Sequence, residues 1–226
     1  MPSLPPAEPS HHRVFVVDDH PLVRESLVAL IDRQHDLRVC GQAGDSATAY
    51  AEMARLRPEV AVVDLALPGE SGLELIKKLA TLSPSPRALV LSMHDEGFFA
   101  ERALRAGARG YVMKHETTDK VIEAIRQVLR GELYVSGALM SQFARTFVGT
   151  NAAPNLPAIA RLSDRELEVF RLIGQGHETR RIAESLHLSM KTVQAHCANI
   201  KDKLGLENAT ALLREAVRSI EHEHFR

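Results

Sequence analysis

The sequence predicts an α/β fold, a doubly wound five-stranded parallel sheet, followed by a small all-α unit built on a helix-turn-helix. Three observations carry that expectation. Over residues 13–131, five short apolar runs alternate with five segments of helical periodicity, the pattern of a parallel sheet covered by helices on both faces. A Gly-, Asn- and Pro-containing stretch at 149–157 then breaks the alternation, as linkers do. Beyond it only helical signals remain, with two short helices close together.

A chain of 226 residues suits two domains. The expected boundaries are a disordered tail at 1–12, a first domain at 13–132, a linker at 133–160 and a second domain at 161–226. With 28 Lys and Arg against 29 Asp and Glu, the net charge is −1, so any nucleic-acid footprint must be local. Two widely separated cysteines argue against a disulfide framework or a cysteine zinc site and suit a reducing, cytoplasmic setting. There is no 18-residue apolar run, so no membrane span is expected. The tail at 1–12 is Pro-rich and polar and lacks an apolar signal-peptide core.

The expected strands are 14–17, 37–40, 60–63, 88–91 and 110–113. The run 60–63 is wholly apolar and β-branched apart from Ala61, which reads as a strand buried on both faces. The expected helices are 22–31, 47–56, 73–82, 98–106 and 121–129, each with apolar spacing near i, i+3, i+4. The residues at the strand ends matter more than the strands themselves. Asp18 and Asp19 come after the first, Asp64 after the third, Ser92 after the fourth and Lys114 after the fifth. In a parallel sheet these ends share one edge. With strand order 2-1-3-4-5, the switch point between strands one and three brings Asp18, Asp19 and Asp64 together. Three clustered carboxylates repel unless a cation neutralises them, and all-oxygen ligands with room for waters suit Mg²⁺. Adding the Ser92 hydroxyl and the Lys114 ammonium yields a seat for a phosphoryl group, with Asp64 as nucleophile and an acyl phosphate as product. Each residue singly has a plainer use: Asp18 and Asp19 as caps before Pro21, Asp64 as a turn cap before Pro68-Gly69. The complete set on four strand ends outweighs those separate uses.

The segments Val16-Val17-Asp18-Asp19-His20-Pro21, Asp64-Leu65-Ala66-Leu67-Pro68-Gly69, Leu91-Ser92-Met93 and Gly110-Tyr111-Val112-Met113-Lys114 resemble a bacterial response-regulator receiver domain over most of 13–131. The resemblance implies phosphorylation of Asp64 by a sensor histidine kinase. It implies Mg²⁺ held by Asp19, Asp64 and the Ala66 backbone carbonyl, with Asp18 acting through water. Ser92 would be the switch hydroxyl, Lys114 the phosphoryl partner and Tyr111 the switch aromatic, while Ala66 and His94 would tune dephosphorylation.

In the second domain, Ser163 and Glu166 form a capping box that opens a helix through Ile173. A second helix is expected at 179–186, a third from the cap Ser189 to Leu204, and a fourth from about Asn208, with Leu212, Leu213, Ala216, Val217 and Ile220 on one face. At about 100° per residue, Cys197, Ile200 and Leu204 fall within about 40° of Val193, while Lys191, Gln194, Ala195 and Ala198 lie opposite. That outward face suits a major groove. From 180 to 203, five basic residues (Arg180, Arg181, Lys191, Lys201, Lys203) against Glu184 and Asp202 leave a local excess of three, which favours contact with phosphates. The expected DNA-contacting set is Ser189, Lys191, Thr192, Gln194, Ala195, Ala198, Lys201 and Lys203.

Leu162-Ser163, Arg165-Glu166, Ile182-Ala183, Leu188-Ser189, Thr192-Val193, Asn199-Ile200 and Lys203-Leu204-Gly205 resemble the LuxR-type DNA-binding domain of NarL/FixJ response regulators. Gln194 and Ala198 stand where members often carry lysine. The expectation is a non-enzymatic, phosphorylation-dependent transcriptional regulator whose partners are the kinase, promoter DNA and, when phosphorylated, a second copy. Two other readings compete: a phosphorylation-independent DNA-binding or adaptor protein, and an aspartyl-phosphate phosphohydrolase. Haloacid-dehalogenase-like phosphohydrolases carry a second Asp two residues after the nucleophile, and Ala66 occupies that position here.

Overall fold

The computed structural model describes residues 11–93, 96–141 and 158–224. They fall into two compact units, divided between Met140 and Ser141.

The first unit runs β1 (His12–Val17), α1 (Pro21–Asp32), β2 (Leu37–Ala43), α2 (Ser46–Leu56), β3 (Val60–Val63), α3 (Gly72–Leu79), β4 (Arg87–Ser92), α4 (Glu96–Ala106), β5 (Ala108–Met113) and α5 (Thr118–Leu129). The five strands are parallel, in the order β2-β1-β3-β4-β5. Alternation along the strands sends Val14, Val16, Val60, Val62, Leu89, Leu91 and Val112 into one apolar layer with Leu27 and Ile31 of α1 and Val121, Ile122, Ile125 and Val128 of α5. Phe15, Val17, Ala61 and Val63 are equally buried, on the other face of the same strands. Each buried aliphatic side chain contributes about 1.5–3 kcal/mol. The sheet is therefore a rigid plate whose C-terminal edge can hold polar groups in place. Local signals open the helices: Pro21 stands in the first turn of α1, Asp45 accepts the Thr48 N–H at 2.8 Å to cap α2, and Ser71 accepts the Glu74 N–H to cap α3.

Three boundaries differ from the sequence expectation. β1 begins at His12, inside the expected tail 1–12, because His12 pairs with Leu37 and its Nδ1 lies 2.9 Å from Glu59; residues 1–10 lie outside the described set. β2 extends to Ala43 through Gly41 and Gln42, a continuation that apolar patterning does not reveal, with Cys40 as the extra residue of a bulge opposite Val14 and Phe15. Residues 133–140, expected as linker, belong to the first unit. There Tyr134 extends the free edge of β5, donating its N–H to Arg109 O (3.0 Å) and accepting that of Tyr111 (2.8 Å). Ser136 donates its N–H to Glu96 at the start of α4, and Leu139 is buried. The remainder of the expected linker, 142–157, lies outside the described residues.

The second unit has a 3₁₀ turn (Ala158–Arg161), then α6 (Asp164–Gly174), α7 (Thr179–Ser185), α8 (Met190–Leu204) and α9 (Ala209–His224). The capping box is complete: Ser163 N–H donates to Glu166 Oε2 (2.7 Å), and Glu166 N–H to Ser163 Oγ (3.3 Å). Leu167, Phe170, Ile182, Leu186, Val193, Ile200, Leu212 and Ala216 are buried. Leu213, expected on the apolar face of α9, is 44% exposed, because it lies about 100° round the helix from Leu212. Gly205 ends α8 in the left-handed conformation, as its position predicts. No helix among the described residues is long and apolar enough to cross a membrane.

Candidate functional site

The C-terminal edge of the sheet carries Asp18, Asp19, Asp64, Ser92 and Lys114 together. Asp18, Asp64 and Ser92 are buried, with residue exposures of 1%, 3% and 0%. Backbone pairing fixes the edge: Asp64 N–H donates to Val17 O and Lys114 N–H to Ser92 O, each at 2.9 Å. The Lys114 ammonium lies between two carboxylates, 2.5 Å from Asp18 Oδ2 and 2.6 Å from Asp64 Oδ2. Burial opposes the charge on Lys114, but Asp64 and Asp18 outweigh it and hold the ammonium above the ordinary lysine range. Asp64 also keeps the plainer use considered for it, accepting the Ala66 N–H at 3.3 Å on its other oxygen. Turn cap and site carboxylate are one residue. Tyr111 is 2% exposed beneath this edge.

Three carboxylates against one ammonium leave an excess of two negative charges in a largely dry crevice. Ligand atoms of Asp18, Asp19, His20 and Asp64 all lie within 4.8 Å of one another. Hard oxygen donors at that spacing fit a divalent cation, and the 12% exposure of the Asp19 side chain leaves a route for water. His20 is the residue that strand-end reading misses. Its backbone N–H donates to Asp18 Oδ1 (2.9 Å), and its Nδ1 lies 2.6 Å from Asp19 Oδ1. Adjacency to the acidic pair is the available signal. His94 lies outside the described residues.

The loop leaving Asp64 returns against it. Gly72 N–H donates to Leu65 O (2.9 Å), and a Cβ on Gly72 would sit 2.1 Å from the Asp64 carbonyl oxygen and 2.8 Å from Leu65 Cα. Both neighbours are backbone and cannot swing aside. Gly72→Ala is therefore expected to destabilise the first unit by about 1–3 kcal/mol, as overpacking does. Thermal melting followed by circular dichroism checks this, and an unchanged melt would remove the close approach from the account.

In the second unit α8 carries its expected stripe. Val193 and Ile200 are fully buried, Cys197 and Leu204 partly so, while Lys191, Gln194, Ala195 and Ala198 are exposed. Three residues of the expected contact set also have partners within this unit. Lys203, its side chain 39% exposed, places its Nζ 2.6 Å from Glu166 Oε2; Glu166 is only 3% exposed and requires a cation. Burial pushes the Glu166 carboxyl up, but Lys203 and the Ser163 amide pull it below the ordinary range. Ser189 and Thr192 spend their hydroxyls on each other (2.7 Å) at the helix start, where Ser189 Oγ also accepts the Thr192 N–H (3.0 Å). Arg180 pairs with Glu184 at 3.1 Å. Lys191, Gln194, Ala195 and Ala198 are exposed on one face of α8, and Lys203 is exposed as well.

Comparison with known proteins matches both units. A family model described as the response regulator receiver domain covers residues 14–126, and one for bacterial regulatory proteins of the luxR family covers 160–216. The chain is 35% identical over 210 residues to the oxygen regulatory protein NreC of Staphylococcus aureus, covering 91% of this chain and 97% of that one. Among solved structures, a LuxR-family two-component response regulator from Aurantimonas sp. SI85-9A1 is 34% identical with TM-score 0.57, covering 62% of this chain and 99% of that one. The RcsB response regulator of Salmonella typhimurium is 26% identical with TM-score 0.63, covering 92% and 98%. An RcsB–DNA complex aligns with TM-score 0.56 at 26% identity, over 93% of this chain and 100% of that one.

Proposed function

Because the chain belongs to the response regulators in which a receiver domain precedes a LuxR-type DNA-binding domain, we propose that Asp64 is the phosphoacceptor through which a sensor histidine kinase controls it. The protein is a phosphorylation-dependent transcriptional regulator. The observation that supports Asp64 is the Lys114 ammonium bridging it to Asp18 on the edge shared by all five strands.

In this reading Asp64 attacks the phosphorus of a phosphohistidine. A P–O bond forms as the P–N bond breaks, and the imidazole leaves with the electron pair and takes up a proton. Lys114 exchanges one carboxylate for a phosphoryl oxygen, and the Ser92 hydroxyl donates to another. Tyr111 then repacks as Ser92 moves. Asp18, Asp19, Asp64 and the Ala66 carbonyl would hold Mg²⁺, which supplies charge neutralisation for the incoming phosphoryl group. Phosphorylation adds about two negative charges beside Lys114. The resulting shift promotes homodimerisation, so that two α8 helices meet paired half-sites in promoter DNA. The setting is the cytoplasm, where both the kinase's phosphorylated face and DNA are reached.

Footprinting of promoter fragments with and without a small phosphodonor tests the switch. Occupancy is expected to rise with the donor in wild type and not in Asp64→Asn; equal occupancy in all four arms would defeat it. On the DNA side, Gln194→Ala is expected to cost about 1–3 kcal/mol at one base position and relax specificity there. Lys191→Ala is expected to weaken all sequences alike and reduce the salt slope by about one. A titration of matched and mismatched duplexes at several salt concentrations separates the two. Identical losses would remove base reading from Gln194.

A further inference from the structure

The edge of the sheet opposite Asp64 carries its own charged cavity. A hollow of about 660 Å³ lies among the loops that enter β3, β4 and β5, and Arg57, Arg87 and Arg109 line it. Most cations of this unit are neutralised locally: Arg55 by Glu52, Lys78 by Glu70, Arg105 by Glu101, Arg126 by Asp36 and Arg130 by Glu132. Arg57, Arg87 and Arg109 differ, since their side chains have no hydrogen bond or ion pair among the described residues. Glu59 also lines the hollow, but both its oxygens are engaged, Oε2 by His12 Nδ1 (2.9 Å) and Oε1 by Arg13 N–H (3.2 Å).

Two of these arginines are placed by unusual backbone. Arg57 ends α2 in the left-handed conformation, at φ 50°, which a non-glycine residue seldom adopts. Arg109 is the extra residue of a β-bulge: Ala88 pairs with Ala108 and Leu89 with Gly110, leaving Arg109 unmatched. Bulges re-aim a side chain and occur beside functional sites. Three guanidinium groups against the one engaged carboxylate of Glu59 leave the lining with a net positive charge, so the arrangement favours an anion. Guanidinium forks match phosphate oxygens in bidentate fashion, and the volume is that of a small-molecule site.

From this geometry we infer that the hollow binds a small molecule carrying two or more phosphate groups, on the edge of the receiver opposite its phosphoacceptor. The inference is independent of the role assigned to Asp64. Isothermal titration of the full chain with inorganic pyrophosphate in metal-free buffer tests it, with sulfate at matched ionic strength as the charge control. Saturable one-to-one binding is expected, with sulfate binding weaker. The double variant Arg87→Gln/Arg109→Gln, both at exposed positions, is expected to weaken pyrophosphate binding at least about tenfold while melting like wild type. Asp64→Asn is expected to bind pyrophosphate unchanged. Absence of saturable binding up to about 10 mM pyrophosphate would overturn the inference. So would equal affinity of the double variant, or a variant whose only defect is in binding duplex DNA.

Discussion

Asp64→Asn is expected to abolish labelling by a small phosphodonor in the presence of Mg²⁺, whereas wild type takes up one phosphoryl group per chain. Intact mass measured immediately after reaction reads both. The amide is uncharged and a poor nucleophile. The substituted amide can still accept the Ala66 N–H through its side-chain oxygen, so the turn survives. Removing one of three clustered negative charges relieves repulsion, and the variant is expected to melt no lower than wild type. Loss of labelling therefore cannot be ascribed to unfolding. Labelling of Asp64→Asn equal to wild type would end the assignment of Asp64 as acceptor.

The legibility of this site comes from parallel-sheet geometry. When every strand points the same way, the residue after each apolar run must arrive at one edge, so Asp18, Asp64, Ser92 and Lys114 can be assembled by reading strand ends alone. The α8 stripe is legible for a similar reason, since helical period alone places Val193 and Ile200 inside and Gln194 outside. Features that depend on pairings distant in sequence are not. The bond of Lys203 to Glu166 spans 37 residues, and nothing in the charge of a lysine says which carboxylate will claim it. Tyr134 on the edge of β5 is fixed by two backbone hydrogen bonds that leave no side-chain signature. The bulge at Arg109 is a property of two strands taken together. His20 lies beside the acidic pair in sequence, but an exposed histidine before proline is unremarkable until its distance to Asp19 is known.

Lys114 separates the structural work of this edge from its chemistry. Lys114→Met is expected to destabilise the first unit in metal-free buffer by about 3 kcal/mol, because it strands buried carboxylates without their cation; the fall in Tm is roughly 10 °C. The lysine side chain is 10% exposed, and the carboxylate side chains it bridges are 2% and 4% exposed, so solvent does little to screen the loss. The pH dependence has a definite sign. A group whose folded pKa is raised stabilises fully below its unfolded value and loses that contribution as pH rises through the folded value. Lys114 lies above its ordinary 10.5 when folded, so on the alkaline side the gap between wild type and variant persists from neutral pH until that raised value is passed. Mg²⁺ provides the second arm. In wild type the ammonium competes with any cation for Asp18 and Asp64; in the variant it does not. Millimolar Mg²⁺ is therefore expected to raise the Tm of Lys114→Met more than that of wild type, by the linkage that gives about 2.7 kcal/mol at a hundredfold excess over Kd. Labelling at Asp64 is expected to stay impaired even at saturating Mg²⁺, because a cation held by the carboxylates would not supply the ammonium that Lys114 offers to a phosphoryl oxygen. Equal Mg²⁺ shifts in the two proteins would mean that the acidic cluster does not bind the cation in competition with Lys114. Restored labelling would mean that the lysine only neutralises the carboxylates without touching the phosphoryl group.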